Sequence, residues 1–329
     1  MSDERGRTAP SGANEPALED AQGAAASTGV AGVELSAGQR RGLLRPVLAV
    51  ITLLLVLALT WEGAKLVGGG PWRYDDFLGT GIAFHHNPPL RISQLSDRQL
   101  PHLWDIGAAL FQPVQRGAQQ SLGQFLVGAA LYTWHEAIIG FVLGGLIGLT
   151  LASFFVHFRL LDRAFVPYVI ASQAIPIVAL APIIVVGFGR GLVAVVFIAT
   201  YLTFFPVTIA AMRGLNSPDP RALELMRSYA ASRWSIFWKV RLPASVPYLF
   251  TALKIAATAS IVGAIIGEGP GGVPEGLGRA IINFNQQYIT GPEKLWATIL
   301  IASLLGITFF SLVRLAEALV LRGRQRIET

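Results

Sequence analysis

Apolar runs of about twenty residues are the feature that most constrains how this chain folds. Six such runs alternate with charged or glycine-rich stretches, over residues 43–67, 126–156, 161–187, 192–212, 245–266 and 295–320. A helix of about 20 residues crosses the hydrocarbon core of a bilayer with every backbone group bonded inside the segment. Only 14% of the residues are charged, against about a quarter in ordinary soluble domains. The sequence predicts an all-α integral membrane protein with six transmembrane helices.

The distribution of Lys and Arg predicts the orientation. Of the 26 basic residues, 17 fall in places that share one side of the predicted membrane: at or before the start of the first run, around the connection between the second and third runs, after the fourth run, and at the end of the last run or beyond it. Connections rich in Lys and Arg stay in the cytoplasm. We therefore expect a multi-pass protein of the bacterial inner or plasma membrane with both termini cytoplasmic. Because the charges lie at the ends of spans, they do not indicate a nucleic-acid partner.

Composition outside the runs predicts the domain organisation. Residues 1–39 lack aromatic side chains and are rich in Ala, Gly and Ser, which predicts a disordered cytoplasmic tail. Residues 40–125 are expected to form the first transmembrane helix and an external loop. Residues 126–320 form the core of five transmembrane helices, and residues 321–329 are a basic cytoplasmic tail.

Several small or polar residues inside the runs have predicted roles. Gly140, Gly144 and Gly148 recur every four residues, a spacing that lets two membrane helices approach closely. Gln173 and Lys254 are candidate pathway residues, because polar groups at membrane depth are costly and are mostly functional. Lys254 either extends its ammonium group to the inner surface or faces the pathway and meets an anion.

An island of charged residues between the fourth and fifth runs, residues 216–248, has a helical period. Its apolar residues recur at steps of three and four. A Pro-Asp-Pro entry is typical of a helix start, and Pro243 predicts a break before the next helix. The pattern predicts a cytoplasmic amphipathic coupling hairpin, although the charges alone are also typical of an ordinary basic loop.

The spacing within this island resembles the EAA loop of ATP-binding cassette (ABC) importer permeases. Glu224, Ala230, Leu242 and Pro243 follow the layout of that loop, and the string AASRWSIFWKVRLPASVP is similar to the nitrate/sulfonate/taurine branch. The segment AIPIVALAPIIVVGFG resembles the same branch. The resemblance covers roughly residues 120–320. Three positions depart from the family pattern, with Leu225 and Met226 in place of alanines and Ala230 in place of a glycine.

The resemblance implies a permease subunit that couples to a separate ABC ATPase through residues 216–243. It also implies an extracytoplasmic solute-binding protein and a second permease copy in a homodimer within the lipid membrane, and residues 126–320 would be the permease core. The residues expected to contact the ATPase are Glu224, Met226, Tyr229, Ala230, Arg233, Trp234, Leu242 and Pro243.

Motifs for chemistry are missing from the sequence. No GxxxxGK[ST] phosphate loop occurs, so ATP hydrolysis is expected on a separate subunit and the chain is not predicted to be an enzyme. There is no cysteine, and no spacing of other residues predicts a metal or cofactor site.

The solute and the transport class leave alternatives. The branch resemblance indicates a small organic or inorganic anion such as nitrate, a sulfonate or taurine. A thiamine-precursor pyrimidine or riboflavin is the alternative within the same importer class. A secondary transporter is the alternative of a different class, and it should show ionisable pairs inside its spans. The sequence predicts almost none, because Glu62 and Glu136 fall near the outer ends of runs.

Overall fold

The computed structural model describes residues 37–74, 84–115 and 117–325. Their helices and strands are α1 (Ala37–Gly68), β1 (Trp72–Tyr74), β2 (Phe84–His86), α2 (Leu103–Ala109), α3 (Leu122–His157), α4 (Arg159–Ser172), α5 (Ile177–Phe188), α6 (Leu192–Leu215), α7 (Pro220–Ser228), α8 (Arg233–Ile236), α9 (Leu242–Gly271), α10 (Leu277–Gln286) and α11 (Pro292–Gln325). The predicted all-α class is confirmed, with one small exception: β1 and β2, of three residues each, form a short antiparallel pair. Most of the predicted N-terminal tail and the last four residues lie outside the described residues.

The chain divides into two compact units at Leu59 and Thr60, within α1. In the first unit, the side chains described begin at Leu48 and are mainly exposed and apolar, including Leu53, Leu54 and Leu59. This composition is typical of a helix surrounded by lipid. The second unit, described over residues 60–325 with gaps at 75–83 and 116, holds the other long helices.

Among the described residues, five helical stretches are long and apolar enough to cross a membrane, at Leu48–Gly68, Leu122–His157, Leu192–Leu215, Arg233–Gly271 and Pro292–Leu321. The third predicted span, residues 161–187, contains Pro167, Pro176 and Pro182 and is broken. It consists of α4 and α5, which are bent by 102° at a short break and together make a broken span or a re-entrant loop. Pro176 caps α5 at this break. Proline disfavours helical geometry in the residue before it and has no N–H for the helix ladder.

Glycines bring α3, α6 and α9 close together. A Cβ on Gly144 would lie 2.6 Å from the Cβ of Thr203, and one on Gly148 would lie 2.7 Å from the carbonyl oxygen of Phe204. On α9, a Cβ on Gly263 would lie 2.8 Å from the Cα of Ala199. These distances are shorter than real Cβ contacts, so only glycine permits this spacing of the helices. The predicted small-residue packing of α3 is confirmed.

The predicted helix break at Pro243 is wrong. Residues Phe237–Arg241 form a π-helical segment that joins α8 directly to α9, and Arg233–Gly271 is a continuous helical stretch of 39 residues. Pro243 lies in the first turn of α9, where a missing N–H costs little. The wider π turn changes the hydrogen-bond register just before the proline, which lets the helix continue through it.

The end of the bundle opposite the hairpin is closed by a loop and by two short helices. Lys65, near the end of α1, is fully buried, and its Nζ donates to Oδ1 of Asp97 at 2.7 Å and to the carbonyl oxygen of Leu100 at 2.6 Å. Glu62 accepts from the N–H of Leu103 at 2.8 Å, at the start of α2. These bonds hold the predicted external loop on α1. On the same end, α10 packs against α3, α9 and α11.

Candidate functional site

The hairpin between α6 and α9 begins with a well-formed helix start. The Asp219 side chain accepts from the N–H of Arg221 at 2.8 Å, and Pro220 occupies the first helical position. The Asp219 side chain bonds to one of the unpaired N–H groups at the helix N-terminus. Pro220 has no N–H and so leaves none unpaired at the first position. The prediction that the Pro-Asp-Pro entry starts a helix is therefore confirmed.

The first half of the hairpin ends in a left-handed residue. Ala230 has φ +54, the only positive φ outside glycine among the described residues. The N–H of Ala231 bonds to the carbonyl of Met226 at 3.0 Å, and the N–H of Ala230 bonds to that of Arg227 at 2.9 Å. This pair of bonds is the Schellman motif, whose left-handed position is normally glycine. Ala230 stands at the position where the resembling family has glycine, so the structure explains that family preference and shows this chain departing from it.

An Ala230→Gly variant is expected to stabilise the hairpin. An alanine in the left-handed region costs about 1 kcal/mol through its Cβ, and part of this is offset by the greater freedom of glycine in the unfolded chain. The expected result is an increase of a few tenths to about 1 kcal/mol in the free energy of unfolding. An Ala230→Val variant is the control, because its branched side chain raises the strain. Thermal unfolding of the two purified variants in one detergent should give opposite shifts.

The exposed face of the hairpin is aromatic and charged. Tyr229 is 78% exposed, Trp234 66% and Trp238 60%, and the side chains of Glu224 and Arg233 are also exposed. Tyr, Trp and Arg are the residues that most often dominate binding energy in protein interfaces. Met226 is half-buried, as are Leu242 and Pro243 at the start of α9. Leu242 and Pro243, which are expected to contact the ATPase, therefore lie beneath the exposed face rather than on it.

The second half of the hairpin is fixed to the ends of α3 and α6. Phe237 is 5% exposed and packs in a cluster with Ala152 of α3 and Leu215 of α6. A guanidinium nitrogen of Arg241 donates to Oδ1 of Asn216 at 3.1 Å, just beyond the end of α6. A movement of the exposed face must therefore move the ends of three spans.

An apolar groove lies beside this anchor. It has a volume of about 560 Å³ and runs between the end of α3 and the α8 segment. Its lining includes four exposed aromatic side chains, those of Phe154, Phe158, Trp234 and Trp238. The ring of His157 also lines the groove, 5.5 Å from the ring of Trp234 and 5.1 Å from the ring of Phe237. The groove extends the exposed aromatic face of the hairpin towards α3.

The candidate pathway residues occupy different places. Gln173 lies at the end of α4, at the bend before α5. Lys254 of α9 is paired with Glu317 of α11, with its Nζ 2.7 and 3.0 Å from the two carboxylate oxygens. The premise that Lys254 is a lone cation is therefore wrong, since Glu317 neutralises its charge. Glu317 lies 63 positions away in the sequence, and no local pattern indicates this pairing.

Sequence reasoning also missed a buried carboxyl pair at the opposite end of the bundle. Glu136 of α3 and Glu268 of α9 are both fully buried. The expectation that spans hold almost no ionisable pairs is wrong. Glu268 lies in a glycine-rich part of the sequence beyond the fifth apolar run, but α9 continues through it to Gly271 and is capped by Gly272, which has φ +64. A left-handed glycine is the usual helix end.

The described residues form a bundle of apolar helices that carries an exposed, anchored hairpin between α6 and α9, which is the architecture of a multi-pass membrane protein. Residues 144–322 match the family model of the binding-protein-dependent transport system inner membrane component. The chain belongs to this family, and it is a multi-pass inner-membrane permease by family and by its apolar helices. Its relatives are permease subunits of ABC transporters, which overturns the secondary-transporter alternative.

Three relatives show how the similarity is distributed. The formylaminopyrimidine transport permease of Halalkalibacterium halodurans is 35% identical over 191 residues, which cover 57% of this chain and 74% of that protein. The riboflavin transport system permease of Chloroflexus aurantiacus is 33% identical over 166 residues, 50% of this chain and 61% of that protein. The putative aliphatic sulfonates transport permease of Bacillus subtilis is 25% identical over 203 residues, 62% of this chain and 72% of that protein.

Proposed function

We propose that this chain is the transmembrane permease subunit of a bacterial ABC importer and that residues 216–243 couple it to a separate ATPase. The observation that carries the proposal is the exposed aromatic face of the hairpin, Tyr229, Trp234 and Trp238, on a base fixed to α3, α6 and α9. Such a face supplies apolar anchors for a groove on a partner. The continuous helix from α8 through α9 carries any displacement of the face into the bundle.

The remaining parts of the importer follow from the same proposal. The family description names a binding-protein-dependent system, so an extracytoplasmic solute-binding protein delivers the solute. Apolar residues on α5 are strongly exposed, including Ile183 at 67% and Val186 at 87%. A second permease copy in a homodimer and the surrounding lipid cover surfaces of this kind. The basic hairpin and both termini lie on the cytoplasmic side.

Co-purification tests the coupling face. The tagged chain, isolated from its native membrane, should bring an ATPase subunit with it, and Trp234→Ala or Glu224→Arg should lose it. Truncating an aromatic anchor typically costs at least about 2 kcal/mol of binding energy, which is a loss of roughly thirtyfold in affinity. Phe111→Ala is the matched control, because Phe111 is 85% exposed but lies near α2, away from the hairpin.

Two results would argue against this assignment. One is that no ATPase accompanies the unaltered chain under conditions that preserve the membrane complex. The other is that Trp234→Ala and Glu224→Arg retain the ATPase as fully as Phe111→Ala does. In either case the hairpin is a basic loop without a coupling role.

We propose that the transported solute is a heteroaromatic organic molecule rather than a simple anion. Two observations support this proposal: the names of the more similar relatives and the Lys254–Glu317 pair. The anion expectation comes from the branch resemblance, and the added support from Lys254 is lost because Glu317 neutralises its charge. The relatives named for a formylaminopyrimidine and for riboflavin are 35% and 33% identical, against 25% for the sulfonate permease. Binding of pyrimidines, flavins, nitrate, sulfonates and taurine to the partner solute-binding protein, measured by calorimetry, separates the two classes. Tight binding of nitrate, a sulfonate or taurine alone contradicts the heteroaromatic class.

A further inference from the structure

The start of α10 is held by a buried carboxylate. Both oxygens of Glu268 accept hydrogen bonds, from the Thr133 hydroxyl at 2.5 Å and from the N–H of Gly278 at 2.5 Å. The Thr133 hydroxyl in turn accepts from the N–H of Leu277 at 2.9 Å. The first two N–H groups of α10 thus bind the Thr133–Glu268 unit. Negative charge at a helix N-terminus is stabilised by the helix dipole and by these otherwise unpaired donors.

The turn before α10 is shaped around this carboxylate. Gly276 has φ +109, and a Cβ on it would lie 2.5 Å from the carboxyl carbon of Glu268. A Cβ on Gly278 would lie 2.9 Å from a carboxylate oxygen of the same residue. Only glycine lets the backbone approach so closely. The turn that contains Gly276 and Gly278 therefore encloses the carboxylate of Glu268.

Glu136 differs from Glu268 in its surroundings. It lies three positions after Thr133 on α3, and therefore on the same face of the helix as the hydroxyl that bonds to Glu268, and its carboxyl group interacts electrostatically with that of Glu268. Among the described residues, no N–H or hydroxyl group reaches either of its oxygens. Two buried carboxylates that lie close together repel each other when both are charged. A proton shared between them removes this repulsion. Since the donors all converge on Glu268, that residue is the acceptor and Glu136 is the residue that holds the proton.

We propose that protonated Glu136 donates a hydrogen bond to Glu268 and that this proton-sharing pair anchors the N-terminus of α10 to α3 and α9. Glu268 is a positioning residue for α10, and Glu136 is a positioning residue for Glu268. Because α10 packs against α3, α9 and α11 at the end opposite the hairpin, the pair keeps that end of the bundle closed. The anchor is a property of this chain alone and does not rest on the proposed importer function.

Other charged groups around the pair bear on its response to pH. Tyr132 on α3 interacts electrostatically with both carboxyl groups of the pair and with Glu275 in the turn before α10. From α10, Arg279 contributes its backbone N–H. On the side of α6, the side chains next to Gly267 are Val195 and Ile198, which do not titrate. Loss of the shared proton at high pH is therefore expected to weaken the anchor of α10.

Hydrogen exchange of the full chain in lipid nanodiscs tests the asymmetry between the two carboxyl groups. Glu136→Gln supplies an N–H in place of the acid proton, so residues 276–286 should keep the exchange protection of the unaltered chain. Glu268→Gln has only one acceptor oxygen for two donors, and exchange of this segment should rise at least about tenfold. When the pH is raised, the unaltered chain should exchange faster in this segment than Glu136→Gln at the same pH.

Infrared spectroscopy gives a second measurement that a packing role would not affect. The carbonyl stretch of a protonated carboxyl group should be present at neutral pH in the unaltered chain and in Glu268→Gln, and absent in Glu136→Gln. Three results would overturn the proposal: equal exchange in Glu136→Gln and Glu268→Gln, no protonated carboxyl band in the unaltered chain, or failure of Glu136→Gln to fold. Each of these is read without a transport assay, so it leaves the proposed function untouched.

Discussion

A Lys254→Met variant is expected to lose about 3 kcal/mol of unfolding free energy, because it leaves Glu317 without its partner inside the span. The Nζ of Lys254 lies 2.7 Å from a carboxylate oxygen of Glu317, and the two side chains are 21% and 19% exposed. Met has a similar length and no charge, so packing changes little while the carboxylate remains uncompensated. Reversible unfolding of the purified protein in mixed micelles measures the loss.

The double variant Lys254→Met/Glu317→Gln is the control for this loss. Removing both charges of a buried pair is often close to neutral, whereas removing one is strongly destabilising. The double variant is therefore expected to recover most of the stability lost by Lys254→Met alone. If the losses of the two single variants simply add in the double variant, the side chains are not coupled.

A Gly144→Ala variant is expected to lose about 2 kcal/mol relative to its neighbour Gly145→Ala, because overpacking of this size shifts the backbone. The new Cβ would lie 2.6 Å from the Cβ of Thr203 and 2.8 Å from the carbonyl oxygen of Thr200. These atoms belong to the body of α6 and cannot rotate away. The two helices have to separate, which also weakens the contacts made by Gly140 and Gly148.

Gly145→Ala is a matched control on the same helix. Its Cβ would meet only the end of Leu253, at 3.8 Å, which is an ordinary contact. Both variants gain the same intrinsic helix propensity on replacing glycine, so the difference between them reports the cost of the contact with α6. Equal thermal stabilities for the two variants would show that α3 and α6 are not closely packed at Gly144.

Most of the fold follows from local pattern. Long apolar runs locate the spans, because span length is set by bilayer thickness. The four-residue repeat of Gly140, Gly144 and Gly148 identifies the face of α3 that meets α6, because a helix brings every fourth residue to one side. The Pro-Asp-Pro entry locates the start of α7. Each of these signals lies within a few residues of the feature it predicts.

The features that were predicted wrongly or missed are those for which the local sequence pattern is compatible with two structures. Pro243 is compatible with a helix break or with a first turn, and the π-helical segment Phe237–Arg241 decides between them. Residues 161–187 are apolar throughout, so their composition does not distinguish one straight helix from two. The bend between α4 and α5 lies at Pro176. The partners of Lys254 and of Glu268 lie 63 and 135 positions away. Such pairings depend on how helices pack, which one sequence does not specify.

The continuous helix Arg233–Gly271 has a consequence that follows from its length. Its 39 residues extend about 58 Å at the usual rise of 1.5 Å per residue, roughly twice the 30 Å thickness of a bilayer hydrocarbon core. A rod that pivots near its middle moves its two tips by similar amounts in opposite directions. A sideways step at Trp234 is therefore expected to be accompanied by a step in the opposite direction beside Glu268.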